Sequence, residues 1–165
     1  MAVQRLLLVL AVLTASPCAL AGPVSCAASD ETVFACRTAR KQVAVCGSPG
    51  WSQAQGSLQY RFGTAREAEL VLPASAMPPQ SSARAGTLML SGGGGAWLRF
   101  RRGDTDYVVY TAIGSFGEKS GVAVERGGRR LASLPCRGPV TSQLGDELFR
   151  KGAFARDAGD FDLPD

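Results

Sequence analysis

Short runs of β-branched and aromatic residues recur along the chain, separated by segments rich in Gly, Pro and Ser. Such runs are typical of antiparallel sheet rather than helix. The clearest run places Leu58, Tyr60 and Phe62 on one face and polar residues on the other, as in a strand with one buried face. By these criteria we predict strands at residues 32–36, 42–46, 57–62, 69–72, 87–90, 96–101, 107–112, 122–125 and 130–134.

Turn signals connect several of these strands. Residues 38–41 are polar and basic and form the turn of the first predicted hairpin. The pair Gly127 and Gly128 accepts the positive φ angles that a two-residue hairpin turn requires. Residues 74–85 are rich in Pro, Ser and Gln, and they indicate a long surface loop.

The pattern changes after residue 141. Leu144, Leu148 and Phe149 follow helical spacing, with acids early and bases late, so we predict a short docked helix within residues 142–151. The acidic residues 157–165 are expected to be loosely ordered. The predicted fold class is all-β, a small antiparallel eight-stranded barrel or sandwich with a short C-terminal helix.

The first residues have the three parts of a secretory signal peptide: a basic Arg5, an apolar run over residues 6–13, and a small-x-small end at Ala21. The apolar run is too short for a transmembrane anchor, and none is expected after cleavage. A lipid anchor on Cys18 or Cys26 is the other exported possibility. We therefore predict a periplasmic or secreted protein with a signal peptide at 1–21, a disulfide-stapled β-barrel domain at 22–140, and a helix and acidic tail at 141–165.

The composition excludes several chemistries. The chain has 165 residues, a formal net charge of +4 and no His. Without imidazole there is no Ser-His-Asp or Cys-His nucleophile and no His-containing zinc site. The carboxylate pairs, such as Asp104 with Asp106, lie in polar, turn-like segments and are interpreted as solvated. We expect neither an enzyme nor a cofactor.

The four cysteines beyond the signal segment, Cys26, Cys36, Cys46 and Cys136, predict two disulfides with three possible connectivities. A metal site would favour paired C-x2-C spacing, which is absent from the sequence. In the first hairpin Cys36 faces Val43 and Cys46 faces Val33, so these two cysteines are not opposite each other. Of the two remaining connectivities we favour Cys36 with Cys136, which ties the first strand to the last, and Cys26 with Cys46, which ties the N-terminal tail to the hairpin.

A run of four glycines between two apolar segments, residues 92–95, is the most unusual local feature. It lacks the Lys and Ser or Thr of a phosphate-binding loop, and no helix is predicted after it. The remaining interpretations are a flexible hairpin loop or strand bulge, and a recognition loop. In the second interpretation Ser91, Gly92 and Trp97 contact a partner.

Several short motifs resemble the c-type lysozyme inhibitors of the bacterial envelope. They are Phe34-Ala35-Cys36, the Ser91-Gly92 segment leading to Trp97, the hairpin at 122–128, and the closing Cys136. The resemblance implies an eight-stranded barrel with the first Cys bonded to the last. It also implies a Ser and a nearby base that hydrogen-bond the catalytic carboxylates of lysozyme, here Ser91 and Lys119. The chain is also similar to small uncharacterised exported bacterial proteins, which implies location alone.

The arginines offer a second binding hypothesis. Arg99 and Arg101 lie in one predicted strand, and Arg102 lies just beyond its end. Three more arginines, Arg126, Arg129 and Arg130, flank the 127–128 turn. Together they form a candidate positive face for an anionic envelope polymer, or simply a solvated strand face that protects an edge. Nucleic acid is not an expected partner of an exported chain with so modest a charge. The sequence thus predicts a binding protein whose partner is lysozyme or another envelope-active protein. The alternative is a non-inhibitory envelope protein that binds an anionic polymer or a small ligand through the arginine-rich face or the barrel mouth.

Overall fold

The computed structural model describes residues 23–165, so the predicted signal peptide and Cys18 lie outside the described residues. The described residues form two short helices, α1 (Pro79–Ser82) and α2 (Asp146–Gly152). The strands are β1 (Glu31–Arg37), β2 (Gln42–Gly47), β3 (Leu58–Gly63), β4 (Ala68–Leu72), β5 (Arg84–Leu90), β6 (Gly93–Arg102), β7 (Thr105–Gly114), β8 (Gly117–Arg126), β9 (Arg129–Pro135), β10 (Arg137–Ser142) and β11 (Ala155–Arg156).

The strands form two sheets, in the orders β10-β1-β2-β3-β4 and β11-β5-β6-β7-β8-β9. All neighbours are antiparallel except β11, which lies parallel to β5. The chain changes sheets between β4 and β5, at Cys136 between β9 and β10, and a third time between β10 and β11. Because the outer strands of one sheet do not pair with those of the other, the fold is a sandwich and not a closed barrel. The predicted all-β class with a short C-terminal helix is confirmed.

The main core lies between the two sheets and combines alternate residues of both. Tyr60 on β3 and Phe100 on β6 are fully buried with ring centroids 5.5 Å apart. Leu58 is buried beside Tyr60 and Phe62 packs against the same cluster, as the alternating pattern predicts. Burying each such side chain contributes about 1.5–3 kcal/mol, so this row of β3 ties the two layers together.

Every predicted strand is present, and the turn at Gly127 and Gly128 has the expected positive φ angles of 55° and 76°. Two strands, β10 and β11, were not predicted. β10 contains Gly138 and Pro139, which are rare inside strands, but it is an edge strand that pairs only with β1. β10 runs to Ser142, so the helix predicted within residues 142–151 begins only at Asp146. The predicted domain boundary at residue 140 lies within β10.

Both expected disulfides, Cys26–Cys46 and Cys36–Cys136, are confirmed. Cys36 lies opposite Val43 as predicted, whereas Cys46 lies opposite Thr32 because the register shifts between Thr32 and Phe34. Cys36–Cys136 joins β1 to the segment between β9 and β10, which links the two sheets. Both bonds are consistent with an oxidising, extracellular environment.

The acidic tail, residues 157–165, differs from the expectation of loose order. Phe161 is only 3% exposed, and Pro164 is also buried. The tail packs against the six-stranded sheet because its few apolar side chains and one of its aspartates find partners there. These contacts define one of the two surfaces described below.

The two disulfides are predicted to stabilise the fold unequally. Cys36–Cys136 spans 100 residues and Cys26–Cys46 spans 20. In the chain-entropy model these loops contribute about 5 and about 3 kcal/mol. Paired Cys→Ala substitution at the first bond should therefore lower the free energy of unfolding more, as measured by urea titration at fixed temperature. A larger loss from removing Cys26–Cys46 would contradict this assignment.

Candidate binding surfaces

Most of the sequence-predicted site residues lie on one face of the six-stranded sheet, the face turned away from the core. We call it the outer face. Residues directly opposite each other in an antiparallel pair share a face, and Trp97 on β6 lies opposite Tyr110 on β7. Arg99 lies two residues along from Trp97 and therefore on the same face. Lys119 lies opposite Ala112, two residues after Tyr110, and also belongs to this face.

Trp97 and Tyr110 form the centre of the outer face, and glycines make room for them. Gly86 lies opposite Trp97 on β5, and a Cβ there would come within 2.1 Å of the indole ring. Gly121 lies opposite Tyr110 on β8, and its Cβ would come within 2.8 Å of the tyrosine hydroxyl. The row Gly86-Trp97-Tyr110-Gly121 thus holds two large aromatic rings between two glycines.

The tail crosses this aromatic row. The Asp157 N–H donates to the Ala85 carbonyl on β5 at 2.7 Å, which extends the short pairing of β11. The Phe161 ring then lies 5.4 Å from Trp97 and 5.5 Å from Tyr110, centroid to centroid. The Arg130 guanidinium lies 5.4 Å from the Phe161 centroid. Phe161 is therefore held between two aromatic rings and a cation, an arrangement that stabilises it beyond apolar burial alone.

Arg99 is the electrostatic centre of the outer face. Its side chain is 7% exposed, its Nε donates to Asp157 at 2.5 Å, and its Nη1 donates to Glu125 at 2.7 Å. Asp106 lies 3.4 Å from the same Nη1. Burial by itself would lower the pKa of the Arg99 guanidinium, but the hydrogen bonds to Asp157 and Glu125 outweigh burial and raise it. Arg99 is therefore a permanent buried cation surrounded by carboxylates.

Asp157 joins the tail to both Trp97 and Arg99. The Trp97 indole N–H donates to Asp157 Oδ2 at 2.9 Å, the same oxygen that accepts from Arg99. Burial alone would raise the pKa of this carboxyl group. The hydrogen bonds from Trp97 and Arg99, together with the positive charge of Arg99, outweigh burial and hold the pKa below its usual range. Asp157 is therefore the anchoring residue of the tail.

The second surface is the two-hairpin tip, formed by the Ser91-Gly92 turn between β5 and β6 and the Ser115-Phe116 turn between β7 and β8. The Ser115 N–H donates to the Ser91 carbonyl at 3.1 Å, so the two turns support each other. Ser91 and Gly92 are both exposed, and Gly92 has a φ of 72°. The glycine run is therefore a tight hairpin turn followed by the start of β6.

Apolar side chains surround the tip. Met89, Ile113 and Phe116 are exposed, Met89 by 97%. Met89 and Ile113 both lie opposite Gly94, on either side of β6. Since Gly94 has no side chain between them, these two residues flank a shallow depression next to the turn. Exposed apolar side chains gathered at one end of a domain are typical of an interaction surface.

A cleft of about 720 Å³ opens beside the tip, between the two sheets. Small and hydroxyl side chains dominate its lining, including Thr87, Ala96, Thr111 and Ser120. The Thr111 hydroxyl donates to the Ser142 hydroxyl at 2.9 Å, which connects the two sheets across the cleft. The lining also carries the carboxylates Glu118 and Asp146, with no lysine or arginine, so the cleft disfavours anions.

The structure divides the predicted binding residues between the two surfaces. Ser91 and Gly92 lie at the tip, whereas Trp97 and Arg99 lie beneath the tail. Lys119 lies next to both: its ammonium donates to the Pro164 carbonyl at 3.1 Å and lies 5.1 Å from the Phe116 ring centroid. Ser91, Trp97 and Lys119 therefore do not form one constellation.

The predicted positive face is also divided. Arg99 is buried among carboxylates, and Arg101, although 65% exposed, donates two hydrogen bonds to Asp106. Sequence reasoning missed the carboxylate partners Glu125 and Asp157, which are distant from Arg99 along the chain. The signal that could have found the tail contact is Phe161, a large apolar residue in an otherwise acidic segment.

No protein-family model, curated protein or solved structure matches the chain. Within residues 23–165, no group of three or more potential metal-ligating side chains is placed to hold an ion. The same part of the chain contains no helix long and apolar enough to cross a membrane.

Replacing the tail anchor is predicted to destabilise the protein in a pH-dependent way. Asp157→Asn removes a charged acceptor of three hydrogen bonds, from Trp97, Arg99 and the Gly159 N–H, and should cost about 2 kcal/mol near pH 7. Because the pKa of Asp157 is lowered in the fold, its stabilisation is complete above about pH 4 and is lost as the pH falls through the folded value. Urea titrations of both proteins from pH 7 to pH 3 should show the difference shrinking below pH 4.

Asp160→Asn is the matched control. The Asp160 side chain is exposed, and it is the backbone carbonyl of this residue that accepts from Arg99. This substitution should change the unfolding free energy by no more than about 0.5 kcal/mol. Equal effects of the two substitutions would show that Asp157 is not the anchor.

Proposed function

We propose that the chain is an exported protein that acts by binding, and that it inhibits a lysozyme by inserting its two-hairpin tip into the substrate cleft. The observation that carries the proposal is the form of the tip: a narrow, exposed turn at Ser91-Gly92, braced by a hydrogen bond from the Ser115 N–H of a second turn. A rigid protrusion suits insertion because little conformational entropy is lost on binding.

The chemistry of the tip also supports a protein partner with a polar cleft. The Ser91 hydroxyl has no hydrogen-bond partner within residues 23–165 and is free to donate to a carboxylate. Gly92 keeps the turn narrow, while Met89 and Phe116 supply apolar contact area on either side. Glu118 and Asp146, in the adjacent cleft, favour a partner with a cationic surface. In this arrangement Lys119 shapes the base of the tip and does not contact the catalytic carboxylates of the partner.

The proposal is tested by the lysis of bacterial cell walls, followed as turbidity, with c-type and g-type lysozymes and the purified mature chain. Wild-type protein should inhibit at least one of the two enzymes. Ser91→Trp places a bulky ring at the exposed turn, and it should raise the concentration for half-inhibition at least tenfold, the effect of about 1.4 kcal/mol at a central contact.

Asp104→Trp is the control for an added exposed ring. Asp104 is 74% exposed in the turn between β6 and β7, at the opposite end of β6, roughly 30 Å from the tip. This variant should inhibit as the wild type does. Absence of inhibition at a large molar excess of wild-type chain would overturn the proposal, and inhibition unaffected by Ser91→Trp would exclude the tip as the site.

A second candidate function is binding of an anionic envelope polymer, and one observation favours it. Arg102, Arg126 and Arg129 lie in one cross-strand row of β6, β8 and β9, and all three are exposed. Arg126 lies 3.4 Å from the exposed Asp104, an ion pair that water and salt weaken. This row, and not Arg99 or Arg101, is the accessible part of the predicted positive face.

The arginine row predicts salt-sensitive binding to a soluble polyanion such as polyphosphate. Replacing Arg102, Arg126 and Arg129 together by Ser should weaken binding at least tenfold at low ionic strength. Replacing Arg40, Arg66 and Arg150, three exposed arginines elsewhere, changes the net charge equally and serves as the control. Binding is measured by titration calorimetry. If both triple variants lose the same affinity for the polyanion, the binding depends on net charge and the arginine row is not the site.

A further inference from the structure

The contacts between the tail and the outer face have the form of peptide recognition. Three basic side chains of the sheet donate to main-chain carbonyls at every second tail residue. Arg99 donates to the Asp160 carbonyl at 3.4 Å, Arg130 to that of Asp162, and Lys119 to that of Pro164 at 3.1 Å.

The side chains between these carbonyls face the sheet. Phe161 and Leu163 pack into the cluster around Trp97 and Tyr110. Along residues 160–164, the carbonyls of residues 160, 162 and 164 accept hydrogen bonds from cations, and the side chains of residues 161 and 163 pack against the cluster around Trp97 and Tyr110. Extended peptides bound to proteins are recognised in this way, with the main chain giving affinity and alternate side chains giving specificity.

Few features of the tail sequence are used in these contacts. They are the Asp157 carboxylate, an aromatic ring four residues later and an aliphatic side chain two residues after that. The hydrogen bonds to the tail carbonyls do not depend on which side chains those tail residues carry, and the side chains of Asp160 and Asp162 are exposed. Any extended segment with the spacing Asp-x-x-x-aromatic-x-aliphatic presents the same groups.

The groove itself is built by the sheet and not by the tail. Trp97 and Tyr110 are positioned by paired strands and by the flanking glycines Gly86 and Gly121. The tail has no regular secondary structure after Arg156, so it can leave the groove without breaking strand pairing beyond β11. Within residues 23–165, the buried Nε of Arg130 has no acceptor, so the resident tail leaves one donor of the groove unused.

We propose that this outer-face groove is a binding site for an extended acidic peptide of a partner protein, and that the chain's own tail occupies it in the absence of that partner. Arg99 selects for the carboxylate at the position of Asp157, and the aromatic pair selects for the ring. The tail keeps the apolar face covered until a segment of the same pattern displaces it. This site is separate from the two-hairpin tip and does not depend on its function.

The test uses a fluorescently labelled peptide with the sequence of residues 157–165 and the full mature chain, with binding read as anisotropy. In the wild type the tethered tail competes at an effective concentration of about 1 mM, so a peptide with an intrinsic Kd of about 10 µM should bind about 100-fold more weakly. Phe161→Ala in the chain weakens the resident tail and should uncover the higher affinity. Asp160→Asn should behave as the wild type does.

Specificity is checked with the same peptide carrying Ala at its phenylalanine, which should not bind the Phe161→Ala chain. Asp157→Asn provides a second, independent way of loosening the tail if Phe161→Ala does not fold, as judged by circular dichroism. Folded variants that bind the peptide no better than the wild type would overturn the proposal. A concentration-dependent dimer of the wild-type chain in sedimentation would assign the groove to the tail of a second copy and would also overturn it.

Discussion

The outer face of the six-stranded sheet depends on the buried guanidinium of Arg99. A cation at this depth is costly unless carboxylates surround it, and the chain brings Asp106, Glu125 and Asp157 to it from β7, β8 and the tail. Two of these partners belong to the sheet and are always present. The third belongs to the tail and accepts from the Arg99 Nε, so this donor is paired when the tail lies across the strands. The same position of the tail places Phe161 over Trp97 and Tyr110 and covers an apolar surface that would otherwise face water.

The six-stranded sheet thus presents two separate candidate surfaces. Residues at the two-hairpin tip are exposed and have few internal partners, whereas those near Arg99 are satisfied within the chain. The sequence hypothesis joined Ser91, Trp97 and Lys119 in one site, but Ser91 lies at the tip, whereas Trp97 and Lys119 lie on the outer face in contact with the tail. Trp97 points to the outer face, and Lys119 is held by the Pro164 carbonyl. A partner at the tip and a partner in the groove could therefore be bound independently.

Local patterns predicted much of the fold because strands and tight turns leave signals within a few residues. The hairpin of β1 and β2 and the turn at Gly127 and Gly128 follow from such signals. The disulfides span 20 and 100 residues, and they were predicted from where the cysteines lie relative to that first hairpin. β10 was missed because Gly138 and Pro139 disrupt the strand pattern, and only pairing with the distant β1 makes this segment a strand. The tail was missed because its aspartates suggest solvation, and the partners that bury Asp157 lie far away in sequence.

The central claim is that Asp157 and Phe161 cover Trp97 in solution. Hydrogen exchange of the two tryptophan indole N–H groups, followed by NMR, tests it most directly. The Trp51 indole donates to Glu31 at 2.8 Å and serves as an internal reference for a buried, hydrogen-bonded indole. The account predicts that the Trp97 indole N–H exchanges slowly, as that of Trp51 does, and that exchange accelerates in Asp157→Asn. Rapid exchange of Trp97 in the wild type, with Trp51 still protected, would contradict it.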